Sequence, residues 1–290
     1  MERKTRLADA ILGADFHLRE DTPICRTDNY WEAQWKKVKF IHDLAKEHEC
    51  YLLVAGDLFE YWKPSPFLLS TTLSLLPKYT YAIYGQHDLP QHSLEFHEKN
   101  GMEVLKRAGN LTILPGVHFG QTPENNPATL IIKDRKILVW HTFNYIGKTW
   151  PGNTAPTSHT LLDKYQEYDL ILTGDNHQTI VVSKDGRLLV NPGSMMRMDA
   201  DQINHRPCVF LWYANTNTIK PVFLPIETGV ITREHIEKVE ERDSRLQAFV
   251  SRLNEEWDVG ISFEENIERF IANNRLRQGT INVIRKSMEK

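Results

Sequence analysis

The strongest constraint on this chain is a set of five short apolar runs that each stop at side chains able to bind a metal or move a proton. Residues 52–55 (Leu-Leu-Val-Ala) run into Gly56-Asp57-Leu-Phe-Glu60, and residues 11–14 into Asp15-Phe-His17. Residues 81–84 run into Gly85-Gln86-His87-Asp88. Residues 137–140 end in His141, and residues 170–173 in Gly174-Asp175-Asn176-His177. Short apolar runs without polar alternation are strands buried on both faces, as in sheets covered by helices. Sites in open α/β sheets form at the carboxyl ends of the strands. A carboxylate in that water-poor crevice is tolerated only beside something cationic. The runs therefore predict an α/β chain whose strand ends converge on a metal centre.

The intervening segments fit this plan. Helical spacing covers 30–49, where Trp31, Trp35, Val38, Ile41, Leu44 and Ala45 share a face. Further helices are expected at 67–76, 94–108 and 161–167. Short strands are expected within 111–139, and hairpins at 179–190, turning at Asp185-Gly186, and at 208–224, turning around Asn215-Thr-Asn217. Residues 143–156 read as a surface loop beside the site. From Gly229 the chain becomes helical and highly charged, over 232–257, 264–272 and 276–288. Two domains are expected, 1–228 carrying the chemistry and 229–290 a helical extension. Within that extension Leu246, Phe249, Val250 and Leu253 form an apolar stripe, which either packs on the main domain or docks a partner.

Bulk properties narrow the classes. No apolar run approaches the roughly 18 residues of a membrane helix, so no membrane association is expected. The charged N-terminus leads into a strand rather than a signal-peptide apolar region. Cys25, Cys50 and Cys208 show no paired spacing and read as free thiols in a reducing compartment. A net charge of −3 gives no global basic field, so a nucleic-acid substrate would have to meet a local basic patch or a basic partner.

Mixed imidazole and carboxylate donors suit manganese, iron or zinc better than calcium or magnesium. No cysteine lies near the cluster, which argues against a structural zinc. Two metals at the usual separation of about 3.5–4 Å need a bridging carboxylate, and Asp57 ends the central strand. One metal would take Asp15, His17, Asp57 and His177, the other Asp57, Gln86, His141 and Asp175. His87 is then free as a general acid, with Asp88 orienting its ring. Arg197 and Arg206 flank Asn191-Pro-Gly-Ser194 and are candidates for holding phosphates. Lys148, with Phe143, Tyr145 and Trp150, is either a contact to a DNA end or part of a solvated loop whose aromatics cap the core.

These five blocks, in this order, resemble those of the calcineurin-like metallophosphoesterases. Within them the chain is most similar to the nuclease subunit of the Mre-eleven/SbcD double-strand-break repair exonucleases of bacterial and phage type. Ala55-Gly-Asp-Leu-Phe59, Asn191-Pro-Gly-Ser194 and the strand pair at 208–224 support that branch. The resemblance covers about residues 7–225. It implies a four-layer αββα sandwich of two mixed β-sheets and two divalent ions, Mn2+ first, with Mg2+, Fe2+ or Zn2+ as alternatives. It implies a DNA exonuclease or endonuclease working with an SbcC/Rad-type SMC-like ATPase. It also implies a homodimer, in the cytoplasm of a bacterial or phage-infected cell.

Two positions depart from the family, which usually has Asn in place of Gln86 and His in place of Asp175. Both fall on the same metal. The longer Gln and shorter Asp compensate in reach, and the added charge favours manganese or magnesium over zinc. The opposing expectation is a weakened second site. The string Gly56-Asp-Leu-Phe-Glu-Tyr-Trp62 is also similar to the lipid A precursor pyrophosphatases, which lack the Asn-Pro-Gly-Ser turn. A nucleotide or lipid-linked pyrophosphatase, and a non-catalytic binding subunit, are thus the rival readings.

Overall fold

The computed structural model of the protein describes residues 7–124, 126–256 and 262–288, without the side chains of 249, 250 and 252–256. It divides into two compact units, Met1–Thr232 and Arg233–Lys290.

The first unit opens with β1 (Ala10–Gly13), α1 (Tyr30–His48), β2 (Tyr51–Ala55), α2 (Pro66–Leu75), β3 (Thr80–Ile83), α3 (Gly101–Arg107) and β4 (Leu111–Ile113). It continues with β5 (Thr129–Ile132), β6 (Arg135–His141), α4 (Ser158–Lys164), β7 (Leu170–Gly174), β8 (Ile180–Lys184) and β9 (Arg187–Asn191). It ends with β10 (Cys208–Tyr213) and β11 (Thr218–Phe223). One sheet runs β11-β10-β1-β2-β3-β4, the other β5-β6-β7-β9-β8. In the first, β1 to β4 are parallel and the β10–β11 hairpin is antiparallel. In the second, β6, β7 and β9 are parallel, flanked by antiparallel β5 and β8.

Period-two alternation explains the layers. Along β2, Leu53 and Ala55 face the second sheet, while Leu52 and Val54 face the helices. Along β7, Leu170 and Leu172 face the first sheet, and Ile171 packs against Leu161 and Leu162 of α4. Trp35, Val38, Ile41 and Ala45 put one face of α1 onto the first sheet. Helices cover the central strands of both sheets on their outer faces, giving the expected helix–sheet–sheet–helix sandwich, while the edge strands leave Ile131 of β5 and Val181 of β8 exposed. Asn29 starts α1 by accepting from the Glu32 amide.

The helix expected over 94–108 is not continuous. Residues Leu94–Lys99 form a 3-10 segment, Asn100 is extended, and its side chain accepts from the Glu103 amide to begin α3. An asparagine favours such capping over the helix interior. The hairpin turn at Asp185 (φ 51°) and Gly186 (φ 74°) has two left-handed residues, which match the twist of its strands.

The second unit holds α5 (Glu234–Glu256), α6 (Phe263–Asn273) and α7 (Gln278–Met288). Ser262 and Glu265 form a reciprocal cap at α6. The helix buries Ile267, Phe270 and Ile271, and Arg285 of α7 pairs with its Glu268 at 2.7 Å. Leu246 of the predicted stripe is 58% exposed, and the side chains of Phe249, Val250 and Leu253 lie outside the described residues.

Leu53 sits fully buried between the sheets. Leu53→Ala is expected to cost about 2–5 kcal/mol, seen as a lower urea midpoint at unchanged slope.

Candidate metal centre

The seven predicted ligands sit at the carboxyl ends of five parallel strands drawn from both sheets. Asp15 and His17 follow β1, Asp57 follows β2, Gln86 follows β3, His141 ends β6, and Asp175 and His177 follow β7. Asp15 (φ 50°), His17 (φ 47°), Asp57 (φ 50°) and Asp175 (φ 77°) are left-handed, an arrangement that costs about 1–3 kcal/mol for each non-glycine residue and collects at functional sites. Backbone bonds hold them there: the His17 amide donates to the Asp57 carbonyl at 2.9 Å, and the Glu60 amide to the Leu18 carbonyl at 3.1 Å. Glycine is required next to them. A Cβ on Gly85 would overlap the Asp57 carboxylate, and one on Gly174 would overlap the Ala55 carbonyl and the His141 ring.

Asp15 and Asp57 each have one oxygen fixed by backbone and one left over. Asp57 Oδ1 accepts from the His87 amide at 2.9 Å, while Oδ2 stands 3.2 Å from His141 Nε2 and 3.7 Å from His17 Nε2. Asp15 Oδ1 accepts from the Asp175 amide at 3.1 Å, and its buried Oδ2 makes no hydrogen bond among the described residues. The imidazoles follow the same rule. His141 Nδ1 donates to the Ala55 carbonyl at 2.6 Å, so Nε2 is the atom that offers a lone pair once the ring is neutral, and Nε2 makes no hydrogen bond among the described residues. His17 Nδ1 pairs with Glu60 Oε2 at 2.9 Å, so its Nε2 faces His177 Nε2 at 3.2 Å. Orphaned, inward-facing donors with outer partners on the opposite atoms are what a divalent ion requires. Three donor groups fit one: Asp15, His17 and His177; Asp15, Asp57 and His141; and His17, Glu60 and His87.

Protons do part of the neutralising in a metal-free site. Burial opposes charge on His141, but the Asp57 carboxylate, followed by Asp15, outweighs it and raises the pKa to about 10. Burial likewise opposes His17, and Glu60 and Asp57 raise it to about 9. Burial would raise Asp57, yet His141 and His17 hold it far below the carboxylate range. Asp15, fully buried, rises to about 6. His177, buried and facing His17, falls to about 4.

The two departures from the family meet each other. Gln86 Nε2 donates to Asp175 Oδ1 at 2.7 Å, which leaves Oε1 as the Gln86 atom available to a ligand. Asp175 Oδ1 is also 3.9 Å from His141 Nε2.

Asp88 and Arg197 are placed otherwise than the sequence predicts, while Arg206 and Lys148 are exposed. Asp88 does not orient His87. Its buried carboxylate accepts from the amides of Leu58, Phe59 and Gly85 at 3.3, 2.9 and 2.9 Å, tying the ends of β2 and β3 together. The His87 ring is held instead by Nδ1 on the Glu60 carbonyl at 3.1 Å. Arg197 is not open to substrate: it is 5% exposed, with its guanidinium on the carbonyls of Ile203 (3.3 Å) and Glu227 (2.5 Å). Arg206 is exposed but stacks over Phe223, 4.2 Å from the ring centroid, and contacts no predicted ligand. Lys148 is exposed, in a loop where Phe143 packs edge-on against Trp150.

The sequence reading missed two sets of residues. Glu60 lies three residues after Asp57, and its carboxylate bridges His17 and Arg19. The other set is an asparagine chain. Asn191 Nδ2 donates to the Asn176 carbonyl at 2.9 Å, and Asn176 Nδ2 to the Asn144 carbonyl at 2.7 Å. Together with the Ser194 amide on the His177 carbonyl at 3.1 Å, it clamps the 175–177 loop. The Asn-Pro-Gly-Ser turn therefore supports a ligand loop.

The family model of the calcineurin-like phosphoesterase superfamily domain matches residues 11–211, and the chain belongs to that superfamily. Its members are hydrolases of phosphoester bonds that use divalent metal ions. Among solved structures the chain is similar to an archaeal phosphodiesterase, with 13% identity, TM-score 0.45, and coverage of 74% of this chain and 99% of that one. It is similar to Vps29 of Entamoeba histolytica complexed with zinc, at 13% identity, TM-score 0.36, and coverage of 74% and 97%. It is also similar to vacuolar protein sorting 29 of Cryptosporidium parvum, at 15% identity, TM-score 0.39, and coverage of 77% and 100%. No curated protein sequence matches the chain.

Below pH 9 the metal-free His17 and His141 carry protons that a metal must displace. Manganese binding at pH 7.5 is therefore expected to release protons, and affinity to rise with pH until about 9 to 10. Calorimetry in two buffers of different ionisation enthalpy reads this directly, and identical heats in both would contradict it. Asp88→Ala strands three backbone donors and should cost on the order of 3 kcal/mol, measurable by thermal melting in chelator.

Proposed function

We propose that this chain is a two-metal phosphodiesterase that cuts DNA, as a repair or recombination nuclease subunit of the Mre-eleven/SbcD type. The observation that carries the metal chemistry is Asp57, with Oδ1 locked on the His87 amide and Oδ2 between His17 and His141. Asp15, His17, Asp57 and His177 hold one ion in this reading, and Asp57, Gln86, His141 and Asp175 the other. Divalent ions so held act as Lewis acids on phosphoryl oxygens and lower the pKa of a water. The chain's own part is positioning and proton transfer. Glu60 and the Ala55 carbonyl fix the His17 and His141 tautomers. His87 is held by Nδ1–H on the Glu60 carbonyl, so it gives a proton from Nε2 to the leaving oxygen only as the doubly protonated ring, and is left neutral with Nδ1–H in place.

DNA as substrate is supported by exposed aromatic and cationic side chains in the loops that follow β2 and β6. Trp150 is 58% exposed, in the loop with Lys148 that Asn144 ties to Asn176. Tyr61 (53%) and Trp62 (37%) follow Glu60 directly. Bases stack on such rings without regard to sequence. A partner ATPase of the SbcC/Rad type, docking on the unit Arg233–Lys290, and a homodimer complete the proposal.

The test is hydrolysis of labelled single- and double-stranded DNA, with bis-p-nitrophenyl phosphate alongside, in manganese and in chelator. Manganese-dependent DNA cleavage is expected, falling about 10²–10⁴-fold in His87→Ala with metal stoichiometry unchanged. Loss of metal in that variant would remove His87 from its role. Turnover of the small diester alone would move the substrate to nucleotide or lipid-linked pyrophosphates. No turnover would favour a binding subunit.

A further inference from the structure

Past the end of the first sheet, the loops after β1 and β2 run side by side. The His17 amide donates to the Asp57 carbonyl at 2.9 Å, the Leu18 amide to the Leu58 carbonyl at 2.9 Å, and the Glu60 amide to the Leu18 carbonyl at 3.1 Å. Leu18 and Phe59, paired within this ladder, are buried. The ladder sets Arg19 beside Glu60 and Tyr61. Gln34 of α1, itself buried, holds the Arg19 backbone. Its Nε2 donates to the Arg19 carbonyl at 2.6 Å, and its Oε1 accepts from the Arg19 amide at 3.2 Å. Both atoms of a buried amide are thus spent on keeping one residue in place.

The Arg19 side chain is 12% exposed and reaches three residues at once. Nη1 meets Glu60 Oε1 at 3.1 Å, Nη2 donates to the Tyr61 hydroxyl at 3.1 Å, and Nε donates to Asp21 Oδ1 at 3.0 Å. Glu60 in turn offers Oε2 to His17 Nδ1 at 2.9 Å, and its carbonyl accepts from His87 Nδ1 at 3.1 Å. A planar guanidinium serves several directions from one fixed geometry, which an ammonium on a flexible stem does not. Glu60 needs a cation on its outer oxygen, because its partly buried carboxylate joins a site that already holds Asp15 and Asp57. At one end of this chain of contacts stands a buried metal ligand, His17, and at the other Tyr61, half exposed.

We propose that Arg19 is a positioning residue that joins the metal centre to the substrate surface. Through Glu60 it holds the His17 ring so that Nε2 points to the ion shared with Asp15, Asp57 and His177. Through the Tyr61 hydroxyl it fixes the angle of an exposed ring on which a base of single-stranded DNA stacks. The second arm rests on the DNA reading above, the first only on the metal centre. Cutting the arms one at a time separates them: Glu60→Gln weakens the first, and Tyr61→Phe removes the second while keeping the ring. Arg19→Lys keeps the charge and loses the fork, so it alone cuts both.

The test is two affinities of the full-length chain, neither of which needs turnover. Manganese binding is read by calorimetry, and binding of a labelled oligothymidylate by fluorescence anisotropy in chelator. Arg19→Lys should weaken manganese at one of the two sites by about 10–100-fold and weaken the oligonucleotide as well. Glu60→Gln should reproduce the manganese loss with DNA bound no more weakly than by the wild type. Tyr61→Phe should reproduce the DNA loss with wild-type manganese affinity, and Tyr61→Ala should weaken DNA by about 5–150-fold. Should Arg19→Lys fail to fold, Glu60→Gln and Tyr61→Phe, each cutting one arm, decide. Wild-type manganese affinity in Arg19→Lys, or a manganese loss there with DNA affinity intact, would overturn the proposal, as would wild-type DNA affinity in Tyr61→Phe. A wild-type chain that binds manganese but no oligonucleotide would overturn the DNA reading and the Tyr61 arm with it, and Arg19→Lys would still decide the metal arm.

Discussion

The site depends on one carboxylate with its two oxygens put to different uses. Asp57 leaves β2 in a left-handed turn that Gly56 makes possible, and the His87 amide takes Oδ1. That fixes the plane of the carboxylate and leaves Oδ2 facing imidazoles from both sheets. The sandwich exists around this point. Parallel strands β1, β2 and β3 bring one set of loops, β6 and β7 bring another, and the apolar layer between Leu53, Ala55, Val139 and Leu172 holds the two ends in register. Negative charge at such a place is stable only when matched, by protons on His17 and His141 in a metal-free chain and by divalent ions in a loaded one.

Around that carboxylate, outer residues decide which atom each ligand offers. Glu60 turns His17, the Ala55 carbonyl turns His141, and backbone amides occupy one oxygen of both Asp15 and Asp57. The Gln86–Asp175 bond places the two residues that depart from the family in one hydrogen-bonded pair. The pair adds an anion at the rim of the site, where Asp175 is 29% exposed, in place of a neutral imidazole.

Much of this was legible in the sequence because the strands are buried on both faces, so each reads as an unbroken apolar run and its end is sharp. Asp15, His17, Asp57, His141 and His177 follow such ends directly, and the structure brings them together. What was not legible depends on contacts distant in sequence. Asp88 sits beside His87 in the chain, yet its carboxylate turns to the amides of β2's loop thirty residues back. Arg197 follows a glycine turn and reads as a phosphate ligand, but it is folded inward onto the Ile203 carbonyl and onto the Glu227 carbonyl thirty residues away. The break at Asn100 rests on local capping chemistry competing with helix periodicity, a contest that a helical stripe does not display. The clamp formed by Asn144, Asn176 and Asn191 joins three loops, and asparagine in a loop carries no signal of a partner.

The most direct test of the account is anomalous diffraction from crystals grown with manganese. Two peaks are expected about 3.5–4 Å apart, with Asp57 Oδ2 between them. One peak would be ligated by Asp15, His17 and His177 and the other by His141 with the Gln86–Asp175 pair. A single peak, or two peaks that do not share Asp57, would contradict the two-metal site on which the rest is built.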